Sequence, residues 1–262
     1  MARQMRIPVR SFGSEVGTPT VPELAEWLKE KRGVEADLTT YRLDRSLGAQ
    51  EGVAVPAAGG VFYGERVSGA FLGMEEGVLV GEPGIDPAAV ADDARFVVGR
   101  RKDAWVALPA PRMLGFRDAS IGDEEEFSET IAALYTRLMR EMRDQGVQGH
   151  VLIADEADAI ELEVLAGRKT LFFPRDQRTF DLELLLEYQS DLVLPAAALD
   201  RAPDLMERFR VRRLILLDAE GRDLATAAAE LADPDMLEAG GYCEESCSDY
   251  WKDLVDRAII PR

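Results

Sequence analysis

The second half of the chain repeats one pattern four times: a short apolar run, a break, and an amphipathic segment. The apolar runs cover residues 151–154, 170–173, 192–194 and 214–217, and the amphipathic segments cover residues 158–166, 180–189, 203–209 and 222–231. The apolar runs hardly alternate with polar residues, which is typical of strands buried on both faces. Parallel sheets covered by helices bury their strands in this way, with right-handed crossovers between successive strands.

This alternation predicts an α/β protein with a Rossmann-like parallel sheet, flanked by helices, in residues 111–262. A long amphipathic helix is predicted over residues 123–145, before the four repeats. Its acidic start suits the positive N-terminal end of the helix dipole. We expect a smaller mixed α/β region in residues 1–110, with a boundary at the Pro-rich stretch LPAPRML. A single continuous sheet that spans residue 110 is the alternative.

The N-terminal region begins with a predicted β-α-β unit. We predict a strand over residues 7–12, a helix over residues 21–32 and a strand over residues 36–43. Thr20 is the expected N-cap of the helix, and Gly33 is expected to end it.

Glycine is dense in residues 48–84, where short β-type runs alternate with it, so a hairpin-rich or irregular β region is expected there. A short helix over residues 86–93 and strands over residues 95–98 and 104–107 complete the first region. A last helix is predicted near residues 244–257.

Composition narrows the class of function. The net charge is −18, and such a surface repels phosphate backbones and anionic lipid, so a nucleic-acid partner is not expected. No apolar run approaches the roughly 18 residues of a membrane span, and the N-terminus lacks the pattern of a signal peptide. Two cysteines do not make a disulfide framework, so we predict a cytoplasmic protein. We also predict a small-molecule substrate. Assembly as a homo-oligomer is left open.

Acids follow three of the four predicted strands: Asp155 and Glu156, Asp176, and Asp218. Ligands of parallel α/β sheets bind beyond the carboxyl ends of the strands, so these acids are candidate cofactor-binding residues. Asp155 or Asp176 would then hold a ribose diol. The alternative is that each acid only caps the helix that follows it.

Basic and sulfur side chains supply candidate substrate-binding residues. Arg175 and Arg178 lie between a strand and a helix, where a guanidinium group can bind a carboxylate or phosphate. Cys243 and Cys247 are four residues apart and would share one face of a helix. For the arginines the alternative is pairing with nearby acids, and for the cysteines it is simple packing.

These residues lead to a predicted enzyme that binds S-adenosylmethionine or another nucleotide-type cosubstrate, with an S-adenosylmethionine-dependent transferase as the leading prediction. Such a transfer can proceed largely by positioning two substrates, and we identify no catalytic constellation in the sequence. The C-terminal half has no GxGxxG motif. A non-catalytic binding or assembly protein remains an alternative.

A third alternative comes from a resemblance. The stretches VLIADEADAIELEVL and RLILLDAEGRDLATAAAEL resemble the TOPRIM fold of primases and topoisomerases. That resemblance implies a magnesium site for phosphoryl transfer, built here on Asp155, Glu156, Asp218 and Glu220. Ala154 occupies the position of the family's strand-end Glu. The one histidine, His150, starts a strand and is expected to be structural, so a zinc site built on a histidine pair is excluded.

Overall fold

The computed structural model describes residues 4–31, 37–245 and 247–261. The strands are β1 (Gln4–Arg6), β2 (Val9–Ser14), β3 (Ala57–Gly59), β4 (Phe71–Glu75), β5 (Val78–Ile85), β6 (Trp105–Pro109), β7 (Arg117–Asp118), β8 (His150–Ala154), β9 (Thr170–Pro174), β10 (Asp191–Pro195), β11 (Arg213–Leu217), β12 (Leu237–Cys243) and β13 (Ile259–Pro261). The helices are α1 (Val21–Glu30), α2 (Leu38–Gly48), α3 (Gly64–Ser68), α4 (Ala88–Arg100), α5 (Glu124–Asp144), α6 (Ala159–Leu165), α7 (Leu182–Tyr188), α8 (Ala202–Arg208), α9 (Gly221–Glu230) and α10 (Cys247–Arg257).

Eight of these strands are parallel and form two four-stranded sheets. One sheet has the order β3-β6-β8-β9, and the other has the order β10-β11-β12-β2. At least one helix follows each of the eight strands before the next begins. The remaining strands, β4, β5 and β7, form a small separate sheet, and β1 pairs with β13.

The two sheets meet at both of their edges. At the first seam the Ser11 amide donates to the carbonyl of Val55 (2.9 Å), directly before β3. At the second seam β9 lies beside β10, and the Gln189 side chain joins them. Its amide oxygen accepts from the Phe172 amide of β9 (2.7 Å), and its amide nitrogen donates to the Asp191 carbonyl of β10 (2.8 Å). The eight strands therefore close into a ring.

A separate core fills the inside of this ring. Its fully buried members come from seven of the eight strands: Phe12, Ala57, Ala107, Val151, Ile153, Leu171, Phe173, Val193 and Ile215. Phe12 and Phe173 stack with their ring centroids 4.4 Å apart, although β2 and β9 lie on opposite sides of the ring. Such contact across the axis requires a closed, filled barrel, and the architecture is that of a (β/α)₈ barrel.

The α/β class, with parallel strands flanked by helices, is confirmed. The four predicted strand–helix repeats correspond to β8–α6, β9–α7, β10–α8 and β11–α9. The open, Rossmann-like arrangement is refined to a closed ring that also takes in β2, β3 and β6. Strands β6 and β8 pair across residue 110, so one sheet continues through the expected boundary; the two-domain division itself stays a prediction.

Local predictions in the first region had mixed outcomes. Thr20 caps α1 in a capping box with Glu23, as expected, whereas Gly33 lies outside the described residues. The predicted strand 36–43 is wrong from residue 38 onward, because Asp37 caps a helix there by accepting from the Thr40 amide. The predicted strand 95–98 is also wrong, since α4 continues through it and buries Val97.

The amino-terminal end of the barrel interior is charged rather than apolar. Arg10 on β2 pairs with Glu238 on β12, and Arg213 on β11 bridges Glu238 (3.4 Å) and Asp191 (2.8 Å). Arg10 is 2% exposed and also lies over the Trp105 ring. This chain of charges crosses four neighbouring strands, and each buried charge has a partner of opposite sign.

None of the helices in the described ranges combines the length and the apolar composition that a bilayer crossing requires.

Gly240 on β12 gives a test of the packed interior. A Cβ at this position would lie 2.6 Å from Cε2 of Phe12 and 2.8 Å from Cγ2 of Ile215. We expect Gly240→Ala to lower the free energy of unfolding by about 1–3 kcal/mol, because the central rings must shift. Gly99→Ala is the matched control: apart from the nearby backbone of its own helix, no heavy atom of the described residues lies within 4 Å of the added Cβ, so this change should be neutral or stabilising. Urea denaturation of both variants measures the difference, and equal effects would contradict the packing argument.

His150 predicts a pH dependence of stability. It is fully buried, neither ring nitrogen has a hydrogen-bond partner among the described residues, and burial lowers its pKa from 6.5 to about 3. Because the unfolded chain binds the proton first, this contribution to stability is present above about pH 6.5 and is lost toward pH 3, by up to roughly 5 kcal/mol. His150→Leu should remove this part of the slope, as measured by denaturant unfolding from pH 8 to 4. Parallel curves for the two proteins would refute it.

Candidate functional site

The ring places the carboxyl ends of all eight strands at one rim, which we call the mouth. Asp155 and Glu156 follow β8, Asp176 follows β9, and Asp218 follows β11, so every predicted cofactor-binding acid lies at this end. Active sites of (β/α)₈ barrels are built at this face from the ends of several strands. The residues at this end that extend inward over the barrel interior are therefore the candidate site residues.

Asp155 and Arg175 meet at the mouth as a two-point ion pair. Nε and Nη2 of Arg175 donate to Oδ1 and Oδ2 of Asp155 at 2.7 and 2.9 Å. Ile153 and Phe173, two residues earlier on each strand, face the barrel interior. Because side chains alternate along a strand, Asp155 and Arg175 continue the inward-facing rows beyond the strand ends. Their side chains are 49% and 43% exposed, so solutes can reach both.

A second pair of polar side chains comes from β12 and from the residue after β2. The Tyr242 hydroxyl donates to Oε1 of Glu15, and the same oxygen accepts from the Val61 amide at 2.8 Å. Burial and the Glu15 carboxyl hold the pKa of Tyr242 well above its ordinary value, so this phenol stays protonated. The charge of Arg175 opposes this rise in pKa, which places Arg175 within electrostatic reach of Tyr242.

We call Glu15, Asp155, Arg175 and Tyr242 the mouth site. Its floor is aromatic, because the Phe173 ring stacks on Tyr242 with a centroid distance of 5.6 Å and on Phe12 at 4.4 Å. The site thus offers one guanidinium, two carboxylates and one phenol above an apolar surface. Ligand sites combine these elements: an apolar surface for the body of a ligand, and a few charged groups that orient it.

Other predicted residues lie on the rim outside this group. Glu156 pairs with Arg112 (2.8 Å), a residue of the loop after β6. Asp176 pairs with Arg178 (3.1 Å), whose side chain is 91% exposed. Asp218 has a left-handed backbone (φ +51°), which Asp tolerates, and accepts from the Tyr250 hydroxyl at 2.5 Å.

Cys243 and Cys247 form a disulfide between the end of β12 and the start of α10. The expectation that both cysteines share one face of a helix is therefore wrong, because Cys243 belongs to a strand. In the disulfide neither sulfur carries a proton or a charge, so neither can act as a thiolate ligand. Cys243 is fully buried directly beside Tyr242, and binding of substrate by this pair stays a prediction.

A cavity of about 550 Å³ lies at the same face of the barrel, between the loops that follow β6 and β8. We call it the loop cavity. Its apolar wall consists of Pro111, Phe116, Phe127 and Ile131, and its charged residues include Arg112, Arg117 and Glu161. Glu161 is 4% exposed, and burial raises its pKa to about 7. A buried acid that titrates near neutrality beside a cavity is a common feature of functional sites.

The magnesium site of the TOPRIM resemblance is not assembled. Asp155, which follows β8, and Asp218, which follows β11, lie three strands apart in the ring, and each has a different partner. Within the part of the chain that the structure describes, no three His, Cys, Asp or Glu side chains are grouped as metal ligands.

Sequence reasoning missed Glu15, Tyr242 and Glu161. Glu15 and Tyr242 are 227 positions apart, and no local pattern joins them. Glu161 lies on the buried face of α6, three residues after its cap Asp158. A carboxylate on an otherwise apolar helix face was the available signal.

Comparisons with known proteins concern the fold. No protein-family model matches the chain, and no curated protein matches its sequence. A solved structure assigned as a vitamin-B12-independent methionine synthase from Listeria monocytogenes is similar, with a TM-score of 0.52, 11% identity, and coverage of 97% of this chain and 95% of that one. A B12-independent methionine synthase from Shewanella sp. W3-18-1, solved in complex with selenomethionine, has a TM-score of 0.56, 12% identity, and coverage of 97% and 96%.

The prediction of an S-adenosylmethionine-dependent transferase is wrong. It depended on an open sheet with a switch in strand order, and a closed ring has no such switch point. The similar solved structures are named methionine synthases, not S-adenosylmethionine-dependent transferases. Another nucleotide-type cosubstrate stays a prediction. The comparisons show that this chain shares its α/β fold with these enzymes over nearly its whole length.

Proposed function

We propose that this protein is an enzyme that binds a small amino acid at the mouth of its barrel and removes a proton from it. The observation that carries the proposal is the mouth site itself. Charged and phenolic side chains at the ends of four different strands, β2, β8, β9 and β12, converge over one aromatic floor. This is the arrangement by which (β/α)₈ barrels assemble catalytic groups.

The ion pair matches the charges of an amino acid. Arg175 can bind an α-carboxylate with two parallel hydrogen bonds, and Asp155 can accept from an α-ammonium group. In the free protein these two side chains pair with each other and are nearly half exposed. An exposed pair of this kind contributes only about 0–1 kcal/mol, so an incoming zwitterion can replace it and satisfy both charges.

Tyr242 and Glu15 can accept a proton from the substrate as a relay, with Tyr242 in contact with the substrate and Glu15 behind it. The Tyr242 hydroxyl gives its hydrogen to Glu15, and its oxygen accepts from the Val61 amide at 3.3 Å, which leaves one lone pair for a donor group of the substrate. A raised pKa disfavours a free phenolate, and the transfer is therefore concerted: the phenol oxygen takes a proton from an N–H bond of the substrate ammonium group as its own proton passes to Glu15, which leaves a neutral amine, a neutral phenol and a protonated Glu15. The Val61 amide holds the accepting carboxylate in place.

The comparisons support the substrate class. The Shewanella methionine synthase was solved with selenomethionine, an amino acid with an apolar side chain. The floor of Phe12, Phe173 and Tyr242 offers an apolar surface that suits such a side chain.

Replacement of Arg175 tests the proposal. We expect Arg175→Met to weaken binding of L-methionine by about tenfold or more, because the charge-assisted contact to the carboxylate is lost. Arg178→Met is the matched control, since this arginine pairs with Asp176 outside the site. Isothermal titration of both variants and the unmodified protein measures the dissociation constants. Equal losses in both variants, or none in Arg175→Met, would overturn the assignment.

Asp155→Asn extends this test. It should weaken L-methionine binding similarly and should leave the melting temperature of the free protein nearly unchanged, because the pair that it breaks is exposed. A loss of about 1 kcal/mol or more of unfolding free energy in the free protein would instead assign Asp155 a structural role.

A further inference from the structure

The loop cavity is separate from the mouth site and holds chemistry that the proposed function does not use. Glu161 reaches it from α6, and its Oε1 accepts from the Arg112 amide at 2.6 Å. No described residue donates to Oε2 of Glu161. Glu161, a residue that is 96% buried, therefore lines a 550 Å³ cavity with one carboxyl oxygen that accepts no hydrogen bond from the described part of the chain.

Of the other four acids that line the cavity, Glu124 is exposed to solvent, and Asp118, Asp123 and Asp158 accept hydrogen bonds from backbone amides. Asp118 accepts from the Ser120, Ile121 and Gly122 amides at 2.9, 2.9 and 2.5 Å. Asp123 caps α5 by accepting from the Glu126 amide, and Asp158 caps α6 by accepting from the Glu161 amide, each at 2.9 Å. Glu161 is thus the buried acid of the cavity that still lacks a counter-charge.

In the described part of the chain no cation forms an ion pair with the Glu161 carboxylate, although the charge of Arg112 acts on it without direct contact. The guanidinium of Arg112 is bound to Glu156 (2.8 Å) and Asp158 (2.9 Å), and only its backbone amide contacts Glu161. Arg117 is exposed on β7 at the other wall, with no carboxylate of the described residues within 4.0 Å. Five acids and two arginines line the cavity, so its charge favours a cationic guest.

The cavity lining also contains apolar side chains that suit an apolar body. Phe116, Phe127 and Ile131 are among them, and aromatic faces attract ammonium groups as well as apolar chains. From this geometry we infer that the loop cavity binds a small primary amine with an apolar body, its ammonium group on Glu161 and its body against Phe116 and Phe127.

The groups that face Glu161 explain the raised pKa of its carboxyl group, and they indicate how a bound ammonium group would lower that pKa. Burial raises its pKa to about 7; Asp158 and Glu156 add to the rise, while the amide and the charge of Arg112 oppose it. Tyr135 of α5 is within electrostatic reach and stays neutral, with its own pKa well above the ordinary value. An ammonium ligand favours the ionised carboxylate, so binding near pH 7 should release a proton from Glu161.

The experiment uses the full chain and three probes of one shape: phenethylamine, 2-phenylethanol and phenylacetate. Isothermal titration at pH 7 should show binding of phenethylamine and weaker or absent binding of the neutral and anionic probes. Glu161→Gln should weaken phenethylamine binding about tenfold or more. Glu163→Gln, an exposed carboxylate two residues away on the same helix, should leave it unchanged.

Titrations in two buffers of different ionisation enthalpy measure the number of protons released when phenethylamine binds. A purely structural role of Glu161 would not change this number. The unmodified protein should release about half a proton per phenethylamine at pH 7 and almost none at pH 9. This measurement does not depend on the folding of any variant. Absence of phenethylamine binding, binding without proton release at pH 7, preference for phenylacetate, or an unchanged affinity in a folded Glu161→Gln protein each overturns the assignment.

Discussion

Closure of the eight-stranded ring is the constraint on which the rest of this structure depends. Two seams join the sheets, one through backbone hydrogen bonds from Ser11 to Val55 and one through the side chain of Gln189. Stacking of Phe12 on Phe173 fills the axis between them. Because side chains fill the interior, the inward-facing residues that remain accessible to a ligand are those just beyond the strand ends, at the mouth. The buried charges around Arg10 close the opposite end.

The same face of the barrel holds two electrostatically different sites. At the mouth, Asp155 is exposed and neutralised by Arg175, so the pair can open for a zwitterion at little cost. In the loop cavity, Glu161 is buried without a matching cation, and its pKa rises to about 7. The Asp155 carboxylate thus has a guanidinium partner, whereas desolvation poises Glu161 between its protonated and ionised forms.

Agreement between sequence and structure was best where the deciding contacts are local. The cap Thr20, the long helix α5 and the apolar strands β8 to β11 depend on residues within a few positions of each other, and they were predicted with small shifts at the ends. The prediction failed at residues 38–43, where the signal was Asp37, an N-cap that was not recognised. It also failed to continue α4 past residue 93, because a run of Phe and Val there favours a strand when considered alone.

The sequence by itself determined the α/β class, the repeated strand–helix unit and the presence of acids after the strands. These follow from side-chain periodicity and capping chemistry, which act over one or two turns of chain. Only the tertiary structure decided that the strands close into a ring, that Asp155 meets Arg175, and that Glu15 meets Tyr242 from 227 positions away. The physical reason is that closure requires every strand to bury one face against the axis, and no single segment encodes the partners that share that axis.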